Sequence, residues 1–225
     1  MRAVRLHAPG LDSLTVDEVD VPELRPGEAL VRVHAAALTR DELDWPLDRL
    51  PAIPSYELSG VVESVAPDVS GVSAGDAVFA LTPFDRDGVA AEFAAVPAAV
   101  LSKKPRTLAH VEAAALPLAG LSAWQGLLEH GRLEHGMRVL IHGATGGVGQ
   151  LALQLARLQG ADVIGTASSA NGARGLVDRS AAPFEDSVSW STSSSTPSAA
   201  TCSPARAPSS VTAAASSPSP RRRTA

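Results

Sequence analysis

Val139-Leu140-Ile141 reads as a buried strand, Gly143 to Gly149 (Gly-Ala-Thr-Gly-Gly-Val-Gly) as a Gly-rich turn, and the stretch after it as a helix whose apolar positions Val148, Leu151, Ala152, Leu155 and Leu158 recur at helical spacing. A strand, a glycine turn and a helix in direct succession commit a chain to a β-α-β unit, because parallel strands need a helical crossover between them. Gly160 stops the helix before a second strand, Ala161 to Gly165. In this context the turn suits a dinucleotide. Gly146 lets backbone approach a pyrophosphate, Gly149 lets the helix pack on the strand, and the helix N-terminus presents N–H groups and positive dipole. The candidate cofactor-binding residues here are Ala144, Thr145, Gly146, Gly147 and Val148. The alternative is a tight turn whose glycines serve packing alone.

After the second strand the chain continues Thr166-Ala167-Ser168-Ser169-Ala170-Asn171, with no acid to accept the ribose 2′-hydroxyl of NAD. Hydroxyls accept a 2′-phosphate instead, and Arg174 is close in sequence, so NADPH is the expected cofactor, with Thr166, Ser168 and Ser169 as candidate ligands. A plain polar loop is the competing reading.

Upstream, from Leu14 to about Leu101, short runs rich in Val and Ala (Val19 to Val21, Ala29 to Val33, Gly60 to Val65, Ala77 to Leu81) alternate with turn residues and predict an all-β barrel. Pro26-Gly27-Glu28 and Ala74-Gly75-Asp76 mark its corners. From Ala109 to Leu128 the pattern turns helical, with Val111, Ala114, Ala115, Leu118, Leu121, Trp124 and Leu128 as its apolar positions. The net charge of -5 and the lack of a basic face argue against nucleic acid and for a small metabolite. No apolar run reaches the roughly 20 residues of a membrane helix and no signal peptide opens the chain, so the expectation is a cytoplasmic protein with no membrane partner. Cys202 is the only cysteine, which leaves neither a disulfide nor a thiolate zinc site.

Taken with Ser59-Gly60-Val61-Val62-Glu63-Ser64-Val65, Gly75-Asp76-Ala77-Val78, Ala113-Ala114-Ala115-Leu116-Pro117 and Ile141 to Gly149, the sequence resembles the zinc-independent quinone oxidoreductase (zeta-crystallin-like) branch of the medium-chain dehydrogenase/reductase superfamily, from Met1 to about Asn171. The resemblance implies an all-β plus α/β chain. It would hold a GroES-like barrel over residues 1–118 and a partial Rossmann domain with NADPH over 119–186, with the reaction between them and a homodimer when full length. It implies hydride transfer to a quinone or α,β-unsaturated carbonyl. By the same resemblance Ser122 aligns with a hydroxyl that touches cofactor in relatives, although a helix cap explains it equally. Zinc-dependent relatives carry a Cys near the position of Thr39 and a His where this chain has Tyr56, so no metal is expected.

No triad is required, since the protein mainly aligns a nicotinamide with an electron-poor carbon. A hydroxyl donating to the substrate carbonyl would stabilise the developing charge, and Thr39 and Tyr56 can be weighed for that role. Each has a blander reading, Tyr56 as a barrel residue with a satisfied hydroxyl and Thr39 as a turn residue, and the catalytic residue stays open. His142 is read as a packed, hydrogen-bonded imidazole, and Asp41, Glu42 and Asp44 as a solvated loop.

From Ser187 to Ala225, 31 of the 39 residues are Ser, Thr, Ala or Pro, too little apolar surface to offset backbone ordering, so a disordered tail is expected. These residue types share a codon second base of C, and reading one base early from Val188 allows a string resembling the next Rossmann strand and its glycine turn. The expectation is a frameshifted, truncated chain with crippled turnover. Its rivals are a catalytically silent fragment that binds nucleotide weakly and a barrel interaction module that binds none.

Overall fold

The computed structural model describes residues 1–39, 42–45, 50–166 and 179–181. The predicted tail, Ser168, Ser169, Asn171, Arg174 and Asp41 lie outside the described residues. Two compact units are present, the first Met1–Leu118 and the second beginning at Ala119.

The first unit is built from strands. β1 (Arg2–Leu6) and β2 (Leu14–Glu18) form an antiparallel hairpin. β3 (Glu28–Ala37), β4 (Glu57–Val65), β5 (Ala77–Leu81), β6 (Phe93–Pro97) and β7 (Ser102–Lys103) make an antiparallel sheet in the order β6-β3-β4-β5-β7. Val31, Leu58, Val62, Val78, Val89 and Val96 close its core, and β5 and β6 alternate between buried and half-buried positions as period-2 elements must. The corners at Gly27 and Gly75 take φ of 79 and 90, and the Asp76 carboxylate accepts the Ser73 N–H at 3.0 Å. Val19 to Val21, predicted as a strand run, is none. Val19 exchanges its N–H and carbonyl bonds with Met1, the last pair of the β1–β2 ladder, and Pro22 has no N–H with which to extend it.

The helical stretch divides into α1 (His110–Ala114), α2 (Pro117–Trp124) and a π-helical turn, Gln125–His130. Its phase corrects the sequence expectation. Ala113, Ala114, Ala123 and Leu127 are buried, whereas Val111, Leu121 and Trp124 are exposed.

In the second unit β8 (Arg138–Ile141), β9 (Asp162–Thr166) and β10 (Arg179–Ala181) pair in parallel in the order β10-β9-β8, with α3 (Gly147–Leu158) as the crossover between β8 and β9. The spacing predicts Val148, Leu151, Ala152, Leu155 and Leu158 as the apolar face of α3. The structure buries Ala152 as expected, together with Gly149, Leu153 and Ala156, half-buries Val148, Leu151 and Leu155, and leaves Leu158 exposed. The reason is distance. A Cβ on Gly149 would stand 2.2 Å from Gly143 O, so the helix approaches the end of β8 closely and the contacting stripe must be of small residues.

Candidate functional site

The Gly-rich turn begins where β8 delivers the buried Ile141 to the edge of the core. Gly143 turns the chain with φ 62, a conformation that costs an L side chain dearly, and its carbonyl accepts the Gly146 N–H at 2.8 Å. Ala144 is fully buried and donates its N–H to Thr166 O at 2.9 Å. The Thr145 carbonyl accepts the Gln150 side-chain amide at 2.8 Å. Gly146 caps α3 without any side-chain hydrogen bond, and a Cβ placed on Gly147 would meet nothing within 4 Å. Gly146 and Gly147 are exposed. The result is a helix N-terminus whose first N–H groups have no intrahelical acceptor and, among the described residues, no side-chain cap.

That geometry fits a dinucleotide phosphate. Gly146, Gly147 and Val148 present the open helix end, while Ala144 faces inward and holds the turn to β9. Thr166 ends β9, and its hydroxyl lies 3.2 Å from Gly143 N and 3.2 Å from His142 Nδ1. His142 is a half-buried, hydrogen-bonded imidazole. Ser122 lies exposed within α2, which starts at Pro117, so the reading of its hydroxyl as a helix cap is incorrect. Gly143 and Gln150 also build the turn, and neither is among the candidates that sequence reasoning selects, although a glycine directly after a strand is a usable signal for the first.

A second cluster forms in the first unit around the start of β4. Glu42 sits in a one-turn 3-10 helix, Glu42–Asp44, and is only 5% exposed, which corrects its expectation as part of a solvated loop; Asp44 alone of the described pair is exposed. The Glu42 carboxylate accepts the Thr39 N–H at 3.1 Å and the Ser55 N–H through its other oxygen, and Glu42 N–H returns a bond to Thr39 O. Ser55 is buried with φ 71, and its hydroxyl donates to Ala37 O at 2.7 Å. Tyr56 is 5% exposed and is ringed by Phe84 at 4.8 Å and Trp45 at 6.4 Å between centroids. Its carbonyl accepts both the N–H and the hydroxyl of Thr82.

The next residue, Glu57, is buried and accepts the Leu118 N–H at 2.8 Å. Burial pushes its carboxyl above the usual range, against the Leu118 N–H that favours the charge, and the nearby Glu42 carboxylate adds to the rise. Thr39 and Tyr56 are thus brought into one neighbourhood, with two buried carboxyls beside them. Two hydroxyls do not make the donor set of a zinc ion. Among the described residues no three His, Cys, Asp or Glu side chains gather as a metal would require.

Residues 25–106 match the alcohol dehydrogenase GroES-like domain. The chain is 38% identical over 188 residues to a zinc-type alcohol dehydrogenase-like protein of Schizosaccharomyces pombe, covering 71% of this chain and 54% of that one. It is 36% identical over 165 residues to the 2-methylene-furan-3-one reductase of Solanum lycopersicum, covering 67% and 42%. The quinone oxidoreductase from Coxiella burnetii superposes with a TM-score of 0.74 at 33% identity, over 80% of this chain and 62% of that structure. The chain spans about half the length of the curated relatives it matches.

Proposed function

Since the chain belongs to the medium-chain dehydrogenase/reductase superfamily, whose members are oxidoreductases that use nicotinamide cofactors on small-molecule substrates, we propose that it serves zinc-free, NADPH-dependent reduction of a quinone or an α,β-unsaturated carbonyl. The observation that carries the cofactor half is the open N-terminus of α3 beneath Gly146 and Gly147, together with a second Rossmann strand that ends on Thr166 rather than on an acid. When bound, the nicotinamide would supply the hydride. Gly147 and Val148 would hold phosphate through main-chain N–H groups, beside a Gly146 whose own N–H is given to Gly143 O and whose missing side chain lets the phosphate approach, and Gly149 fixes the helix against the strand so that those groups point one way.

For the substrate half, Tyr56 and Thr39 carry the hydroxyls that we propose for donation toward a carbonyl oxygen as charge develops on it. The buried Glu57, its carboxyl held high, keeps a proton nearby at pH values where an exposed acid has lost its own. Reading this as zinc-free reduction rests on the chemistry of those donors.

Calorimetric titration of the purified chain with NADPH and NADH tests the cofactor half, and tighter NADPH binding is expected. Equal or stronger NADH binding reverses the assignment. NADPH consumption on addition of a quinone or an enone tests the rest. Nucleotide binding without consumption of NADPH by either substrate class reduces the proposal to its binding half, and about one tightly held zinc per chain by elemental analysis refutes the zinc-free reading.

A further inference from the structure

We infer that Thr166 is a positioning residue, one that acts on the bound dinucleotide by fixing the peptide of Gly143 rather than by touching the ligand; this rests on the proposed nucleotide site. Three successive residues of the turn are fastened to Thr166. Its carbonyl accepts the Ala144 N–H at 2.9 Å, and its hydroxyl oxygen lies 3.2 Å from both Gly143 N and His142 Nδ1. Gly143 N–H donates to Oγ1, and Oγ1 shares a second hydrogen bond with His142 Nδ1.

The Gly143 carbonyl belongs to the next peptide plane, Gly143–Ala144, whose N–H is the one held by Thr166 O. Its carbonyl accepts the Gly146 N–H at 2.8 Å, which sets the residue that caps α3, and it occupies the space against which Gly149 packs, 2.2 Å from where a Cβ would stand. Thr166 therefore holds both peptide planes that flank Gly143, the first through Oγ1 and the second through its carbonyl, and the second plane carries the acceptor of the Gly146 cap. Gly143, at φ 62 and with no Cβ, has no steric barrier of its own to hold the angle between the two planes. Losing the hydroxyl would leave the Gly143 N–H without its acceptor and free the first plane to rotate about the glycine, which loosens the second plane, the cap and with it the direction of the phosphate-facing amides.

The test uses the full chain, its Thr166→Val and Thr166→Ser variants, and NADPH as the probe. Val keeps the β-branched shape and removes both hydroxyl bonds, while Ser keeps the hydroxyl. In ligand-free wild type the amide of Gly143, an exposed residue, should exchange with solvent at least about tenfold more slowly than a free glycine amide, because Thr166 Oγ1 holds it. Thr166→Val should abolish that protection, shift the amide resonances of Gly146, Gly147 and Val148 in the absence of nucleotide, and weaken NADPH binding about tenfold. Thr166→Ser should restore all three.

A Gly143 amide that exchanges freely in wild type overturns the inference, and this measurement stands even where the valine variant does not fold. So does a valine variant that weakens NADPH while leaving the ligand-free resonances in place, since Thr166 would then act by direct contact. Should wild type not bind NADPH at all, the proposed function fails, while the exchange and resonance data still decide the role of Thr166.

Discussion

At the Gly-rich turn nearly every contact is made by main chain, from the Gly143 carbonyl to the Ala144 N–H, whereas around Tyr56 the contacts are made by side chains that arrive from positions 42, 45, 55, 57 and 84. The first arrangement is local in sequence: the turn and the start of its helix occupy residues 143–149, Gln150 adds its side chain from the next position, and Thr166 reaches in from farther along the chain. The second draws on distant segments, such as Glu57 and Leu118 with a separation of 61. A main-chain site depends on which positions can lack a Cβ, and a side-chain site on which polar groups can be buried together and still find partners.

The sharpest way to break the comparison is at Gly149. Gly149→Ala sets a methyl 2.2 Å from Gly143 O and 2.8 Å from Ala144 Cα, both main chain that cannot yield cheaply. It should lower the stability of the second unit by about 3 kcal/mol in denaturant titration. A loss under about 0.5 kcal/mol would mean that the helix does not need that approach.

Next comes Glu42→Ala, which strips the Thr39 and Ser55 N–H groups of their acceptor and should cost the first unit about 2 kcal/mol. Because Glu42 raises Glu57, the same change should bring the Glu57 carboxyl down toward the ordinary range, read as its pH midpoint by carboxyl NMR. An unmoved midpoint would show that the two carboxyls do not feel each other.

A smaller effect is expected from pH. His110 opens α1, holds Ser59 Oγ at 2.8 Å through Nδ1 and stacks on His34 at 4.5 Å; burial first, then His34 and Lys104, hold its pKa below 6.5. With the folded value below the unfolded one, the unfolded chain takes up the proton first. This contribution to stability is therefore complete above about pH 6.5 and is lost as the pH falls through the folded value. Glu57 works in the opposite sense, its raised pKa contributing stability at low pH that fades as the pH rises through the folded value. His110→Gln should flatten the stability profile just below pH 6.5 and leave the Glu57 region of the profile unchanged. An identical slope in wild type and variant would show that His110 carries none of the pH dependence.

The smallest effect belongs to Gly147→Ala. The added methyl meets nothing within 4 Å and lies at the first position of α3, so stability should change by no more than about 0.5 kcal/mol. A large loss there would erase the distinction between the glycine that packs and the glycine that leaves room.

The same distinction explains what is legible in the sequence. β5 can be read at Ala77 to Leu81 because apolar contrast and turn glycines bound it on one side. β1 cannot, since Arg2 and Arg5 interrupt it and its buried residues, Ala3 and Leu6, are three apart rather than two. α3 is legible as a helix and its phase in part: Gly149 and Ala152 can be read as packing positions, whereas hydrophobicity also points to Leu151, Leu155 and Leu158 while the structure buries Leu153 and Ala156. The Gly-rich turn announces its chemistry locally. Glu42 and Glu57 do not, because a carboxylate keeps a buried place only through N–H donors supplied by Thr39, Ser55 and Leu118, and nothing in the order of residues shows those meetings.

The packing of Trp45 against Tyr56 also has an optical consequence. With ring centroids 6.4 Å apart, excitation absorbed by the chain's single tyrosine passes to the indole before it can be emitted, so Tyr56 should be dark and Trp45 should report for both. Trp124, half in solvent on α2 in the second unit, emits from a wetter setting and toward longer wavelength. Replacing Trp124 and Trp190 by Phe would leave a chain whose whole emission describes the surroundings of Tyr56, and replacing Trp45 and Trp190 one whose emission describes the second unit. The two regions could then be watched one colour at a time as either unfolds.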